Sequence, residues 1–280
     1  MRMDLHVHTT FSDGELSPQQ AVDAACSAGM DAIALTDHDE CRGSSKVSDG
    51  CGIIVIPGIE FSSYFDGEVH VLGLGVDCAN ESLLGYVEKA AKARRARAYA
   101  MLERLTKAGV EIGMEEVEAQ CVSSVIGRPH LAAVLVDKGY VKTAKEAFEK
   151  YLSAKSPYYV QQQRISAARA AELIRQSGGH AVLAHPGLLN ESVWNGIKPH
   201  LKTLGFWGIE AYHPSHTNGQ CKEYESWARQ SGLFVTSGSD YHGSYTKVGI
   251  GEETRTSRYL QQSLALLADS LMARDYFGEG

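Results

Sequence analysis

The sequence predicts an α/β fold in which seven βα units form a near-complete barrel that carries an inserted helical domain. Three observations predict it. Short β-type runs alternate with amphipathic helical patterns, the strand rhythm stops between Asp77 and Ser156, and the strand runs carry a histidine or a carboxylate within or just beyond them. Parallel strands joined by helices explain the first, an insertion the second, and a site at one mouth of a barrel the third.

The strand runs are residues 3–7, 32–35, 53–56, 69–74, 181–184, 207–211 and 233–236. Helix signals separate them. Ser17 reads as an N-cap with Pro18 in the first turn and Gly29 just past the end, and Gly178 and Gly232 end later helices in the same way. The barrel is assigned to residues 1–76 and 157–280, and the helical cap to residues 77–156. In the cap, a helix over about residues 82–108 carries Lys89, Lys92, Arg94, Arg95, Arg97, Arg104 and Lys107. These cations either face a phosphate-bearing substrate or form a solvated face balanced by the acidic residues 115–118.

Bulk composition narrows the classes. A chain of 280 residues with 44% hydrophobic content holds one substantial core. The net charge of -7, from 34 acidic against 27 basic residues, gives no global basic field for long nucleic acid. The six cysteines form no CxxC pair, no secretory leader opens the chain, and no apolar run reaches the roughly 18 residues of a membrane span. The expectation is a soluble cytoplasmic protein with no membrane partner.

The strand ends carry the chemistry. His6 and His8 flank Val7, so period-two alternation projects both imidazoles from one face. Asp13 follows in the loop. The second strand runs into Asp37-His38-Asp39, the third into Glu60, and the fourth contains His70. The fifth leads to His185, the sixth gives Glu210 with His213 and His216, and the seventh gives Asp240 and His242. Nine candidate ligands, His6, His8, Asp13, His38, Glu60, His70, His185, Asp240 and His242, exceed what one ion needs. Imidazole and carboxylate donors without thiolate suit Zn, Mn or Fe. Paired ions about 3.5–4 Å apart activate water and clamp phosphoryl oxygens, and the chain has neither a GxSxG elbow nor a GxxxxGK[ST] phosphate loop. Glu210 and Asp37 are expected to orient ligating imidazoles, and His180 and His200 to be structural.

The segments MDLHVHTTFSDG, ALTDHD, PGIEFS, VHVLGLG, LAHPG, GIEAYHP and TSGSDYHG, in this order, resemble the PHP (polymerase and histidinol phosphatase) family of metal-dependent phosphoesterases across nearly the whole chain. The resemblance implies a distorted (β/α)7 barrel and a trinuclear metal centre. By motif, His6, His8, Glu60 and Asp240 would hold one ion, and Glu60 as a bridge with His70 and His185 a second. Asp13, His38 and His242 would hold a third, Asp13 standing where several members have histidine. The Gly127-Arg128-Pro129-His130 and Tyr158-Tyr159-Val160 segments and His216 look like the subgroup acting on 3',5'-bisphosphonucleosides or on the 5' end of short RNA. Arg128 is then the expected phosphate clamp, and His130 and His216 are further catalytic candidates beside Glu60. The competing readings are a phosphatase of a small metabolite such as histidinol phosphate, and a non-catalytic metal- or phosphate-binding module.

Overall fold

The computed structural model describes residues 1–48, 51–243, 246, 248–253 and 255–273. β1 (Met3–Val7) and β2 (Ala32–Leu35) are buried along their whole length and pair in parallel. Strands covered on both faces need continuous apolar runs, which is why both bounds agree with the sequence reading. Between them lies α1 (Pro18–Ser27), opened by a reciprocal Ser17–Gln20 capping box and followed by Gly29 at φ 69°.

β3 (Ile54–Tyr64) departs from the expected run of residues 53–56. It pairs in parallel with β2 as far as Pro57, then continues as one arm of an antiparallel hairpin with β4 (Glu68–Leu74). Strands joined by so short a turn can only be antiparallel, so the expectation of uniformly parallel βα units fails here. The reversal has a chemical result. His70 stands near the start of β4, opposite Ser62, and reversal of β4 brings that start to the mouth where the parallel strands end.

Four helices follow β4: α2 (Glu81–Lys107), α3 (Met114–Glu118), α4 (Arg128–Asp137) and α5 (Ala144–Ala147). The first half of α2 packs into the barrel core through Leu83 and Val87, and only its second half joins α3, α4 and α5 around a separate buried cluster that includes Met101, Leu105, Val117, Leu131 and Leu135. β5 (Ile165–Ser166), too short to show periodicity, adds to the far end of β3. The chain then runs through α6 (Ala167–Gln176), β6 (His180–Leu183), α7 (Glu191–Ile197), β7 (Gly208–Tyr212), α8 (Asn218–Ser231), β8 (Phe234–Ser237) and α9 (Arg258–Met272). β6 pairs antiparallel with β4, and β7 and β8 follow in parallel. The sheet comes round on itself where Asp240 N donates to His6 O (2.8 Å) and His8 N to Tyr241 O (3.0 Å). The barrel core includes Leu5, Phe61, Leu72, Leu183 and Ile209. Among the described residues no helix is long and apolar enough to cross a membrane.

Candidate metal centre

The nine ligand candidates converge at one mouth of the barrel. His6 Nε2 and His8 Nε2 lie 3.1 Å apart, and each is 3.2 Å from Asp240 Oδ1. Glu60 stands between this pair and the rest. Its Oε1 is 3.3 Å from His6 Nε2, 2.9 Å from His70 Nδ1 and 3.1 Å from His185 Nε2. Its Oε2 is 3.3 Å from His8 Nε2 and 2.7 Å from His38 Nδ1. Asp13 Oδ1 lies 3.5 Å from His242 Nε2 and 3.7 Å from His8 Nδ1, and its Oδ2 lies 4.0 Å from His38 Nε2. Ligand atoms within 4.8 Å of one another form overlapping sets: His8, Asp13, His38 and His242; His6, His185 and Asp240; His6, His8 and Glu60; His38, Glu60 and His70.

The donor atoms fit cations better than they fit each other. His38 Nδ1 and Glu60 Oε2 are buried and close, yet neither has a hydrogen-bond partner among the described residues. His6 Nδ1 donates to Glu210 Oε1 (3.1 Å), which leaves the Nε2 lone pair aimed into the cluster. Buried polar atoms are rarely left unmatched, and a set of imidazoles and carboxylates is a site for divalent metal.

Electrostatics point the same way. Burial works against the Glu60 charge, but His70, His38 and His6 hold its carboxyl well below the usual carboxylate range. Asp240 is likewise kept ionised against burial by His6, His213 and His8. Burial opposes charge on His8 too, yet the nearby Asp240 and Glu60 carboxylates push it up to about 10, so in the metal-free chain its proton stands where a cation would. Backbone strain collects here as well. Asp39 (φ 51°), His185 (φ 26°) and Asp240 (φ 52°) occupy the left-handed region at strand ends, a conformation kept where a side chain must be aimed.

Supporting acceptors hold the ligands. Glu210 takes both the His6 proton and the His185 backbone N–H (2.8 Å). Asp37 accepts from Thr9 N, Thr9 Oγ1 and Ser12 Oγ, and so fixes the loop that leads to Asp13. Sequence reasoning missed Asp4, which accepts from Ser239 N (2.9 Å) and Gly251 N (2.8 Å) and anchors the turn below Asp240. An acid inside an otherwise apolar strand was the available signal. Gly238 has no room for a side chain, since a Cβ there would sit 2.3 Å from His6 Cβ.

The remaining candidates divide. Arg128 lines a pocket with Asp13, His38 and His70, with Nη1 donating to Leu152 O (3.2 Å) and its guanidinium near the rings of Phe148 (5.4 Å) and Tyr159 (5.7 Å). His130 accepts the Gly127 N–H on Nδ1 (2.9 Å), so it caps its own helix while bordering a cleft with Asp13. His216, a catalytic candidate by the resemblance, has both ring nitrogens spent on backbone: Nδ1 donates to Ala211 O (3.0 Å) and Nε2 accepts from Gly187 N (3.0 Å). His213 is the histidine beyond β7 that reaches the cluster, with Nε2 3.3 Å from Asp240 Oδ2. His180 bonds Ser270 Oγ (2.9 Å), and His200 packs toward Phe65, both away from the cluster.

Residues 4–204 match the PHP domain family. The chain is 33% identical to the phosphoribosyl 1,2-cyclic phosphate 1,2-diphosphodiesterase of Eggerthella lenta, over 88% of this chain and 95% of that protein. It is 34% identical to the 3',5'-nucleoside bisphosphate phosphatase of Chromobacterium violaceum, over 86% and 87%. The solved structure of an amidohydrolase from the same organism, with bound sulfate and no metal, superposes with a TM-score of 0.86 at 30% identity, covering 96% of this chain and 97% of that one.

Proposed function

The chain belongs to the PHP domain family and is a phosphoric ester hydrolase, and from that premise we propose that it hydrolyses phosphate esters of nucleotides or short oligonucleotides with two or three divalent ions. The observation that carries the reading is Glu60, whose two oxygens each meet a different set of imidazoles and so suit a bridge between ions. Bound divalent cations supply Lewis acidity toward phosphoryl oxygen and lower the pKa of water.

The chain's own residues supply the rest. His6, His8, Glu60 and Asp240 form one ligand group, His70 and His185 extend it through Glu60, and Asp13, His38 and His242 form another. Arg128 contributes a guanidinium fork for a phosphate group of the substrate. Residues 77–156 act as a cap that supplies one wall of the site. A largely apolar cleft of about 550 Å³, bordered by Asp13, Val122, Pro129, Ala133 and Phe148, favours a nucleoside over a small polar alcohol. The two relatives above are named for phosphorylated ribose compounds.

The test is a substrate panel with Mn, Zn or Fe: nucleoside monophosphates, 3',5'-bisphosphonucleosides, phosphoribosyl cyclic phosphate, short oligonucleotides and histidinol phosphate. Metal-dependent release of phosphate from nucleotides or oligonucleotides is expected, with kcat/KM above that for histidinol phosphate. A preference for histidinol phosphate would contradict the substrate class. Binding without turnover of any ester would make the protein a metal- or phosphate-binding module.

A further inference from the structure

A ligating imidazole needs its outer nitrogen held, and the holders differ around the cluster. His6 Nδ1 is matched by Glu210, which is fully buried, and His242 Nδ1 donates to Asp240 O (2.9 Å). His70 is held from outside. Its Nδ1 lies 2.9 Å from Glu60 Oε1, and its Nε2 lies 3.3 Å from Glu68 Oε1. Glu68 opens β4 two residues before His70, so period-two alternation sets both side chains on one face of the strand. Unlike Glu210, Glu68 is half exposed.

Glu68 is itself clamped. Arg164 Nη2 meets the same oxygen, Oε1, at 2.6 Å, and the Arg164 side chain is only 7% exposed. Arg164 stands immediately before β5, and it lines the pocket shared by His70, Arg97 and Arg128. At the end of β3, Tyr64 pairs with Glu68 on one side and with Ser166 on the other. The two-residue strand β5 therefore brings Arg164 to the start of β4, where the guanidinium reaches Glu68. A neutral imidazole has one N–H to place. With a fixed carboxylate at Nε2 the proton goes there, and the Nδ1 lone pair is left beside Glu60. The other tautomer would put the proton against Glu60 and leave no lone pair for a cation. Because Oε1 already meets two nitrogens, Glu68 serves donors and is not a ligand itself.

We infer that Glu68, fixed by Arg164, is a positioning residue: it selects the His70 tautomer and ring orientation that present Nδ1 beside Glu60, and so sets the affinity of one ion. The inference rests on the metal-dependent reading of the site and extends it to two residues outside the ligand set.

Competition for Zn between the protein and a chromophoric chelator tests this, because it reads the affinity of each ion without turnover. Glu68→Leu should loosen one ion about ten- to a hundredfold and change the others little, the range found when a partner of a ligating imidazole is lost. Glu68→Gln, whose amide oxygen still accepts from His70, should fall between wild type and Glu68→Leu. Arg164→Met should give a smaller loss than Glu68→Leu. Glu68→Leu combined with Arg164→Met, which leaves no buried cation behind, should lose no more than Glu68→Leu alone, and it serves in its place if the single variant fails to fold. Unchanged affinity in the double variant, an equal loss for every ion, or a Gln variant as weak as the Leu variant would overturn the inference and leave the hydrolase standing. A wild type that binds Zn but hydrolyses no ester of the panel would instead remove the phosphoesterase reading, and the affinities would still decide the role of Glu68.

Discussion

Arg94 and Asp39 form a buried ion pair that ties helix α2 to the residue following the ligand candidate His38. The guanidinium donates Nε (2.9 Å) and Nη2 (2.5 Å) to Asp39 Oδ2, and Tyr86 Oη donates to Asp39 Oδ1 (2.7 Å). Arg94→Met would leave the Asp39 charge buried without its counter-ion and should cost about 3–5 kcal/mol of stability. Arg94→Met combined with Asp39→Asn should cost less than the sum of the two single changes, as measured by denaturant unfolding. Additive losses would mean that the pair does not couple α2 to the loop after β2.

Asp13 sits among His8, His38 and His242. Asp13→Asn should weaken binding of one ion and lower the metal content by up to one equivalent, read by elemental analysis after dialysis. An unchanged content would place Asp13 outside the ligand set.

His216 stitches the turn after β6 to the end of β7. Burial pushes its imidazole down to about 4, so it stays neutral at working pH. His216→Ala should cost about 1–3 kcal/mol of stability by leaving Gly187 N–H unmatched, and should lower turnover without altering the shape of the pH–rate profile. Loss of one limb of that profile would mean that His216 transfers a proton.

Ala133 borders the apolar cleft beside Asp13. Ala133→Trp should raise KM for a nucleoside phosphate several-fold while leaving KM for glycerol phosphate much less affected. Equal effects on both would separate the cleft from base binding.

Much of the fold and site is legible in the sequence, for physical reasons that also explain the gaps. β1 and β2 are buried on both faces, so their apolar runs mark their own ends. Pro57-Gly58 reads as a stop, but Pro57 has no N–H to lose at the point where β3 changes partner from β2 to β4, so the strand runs on to Tyr64. Periodicity carries no direction, which hid the reversal of β4 and the reason His70 reaches the mouth. Polar residues repeated along the strand exits exposed the ligand set, because an ordinary barrel rim needs no such repetition. His213 and His216 both follow β7, and only the backbone atoms each one meets separate them. Arg97 showed merely as part of a basic helix, and Arg164 carried no signal at all, since their shared pocket exists only in the tertiary structure.

Glu60 carries the greatest weight in this account, and one comparison addresses it directly: metal content and turnover of wild type and Glu60→Gln, prepared side by side in the same metal. The wild type should hold at least two ions per chain, and the variant should lose at least one of them together with about a hundredfold or more in kcat. A Glu60→Gln protein that keeps every ion and the wild-type rate would contradict a bridging carboxylate.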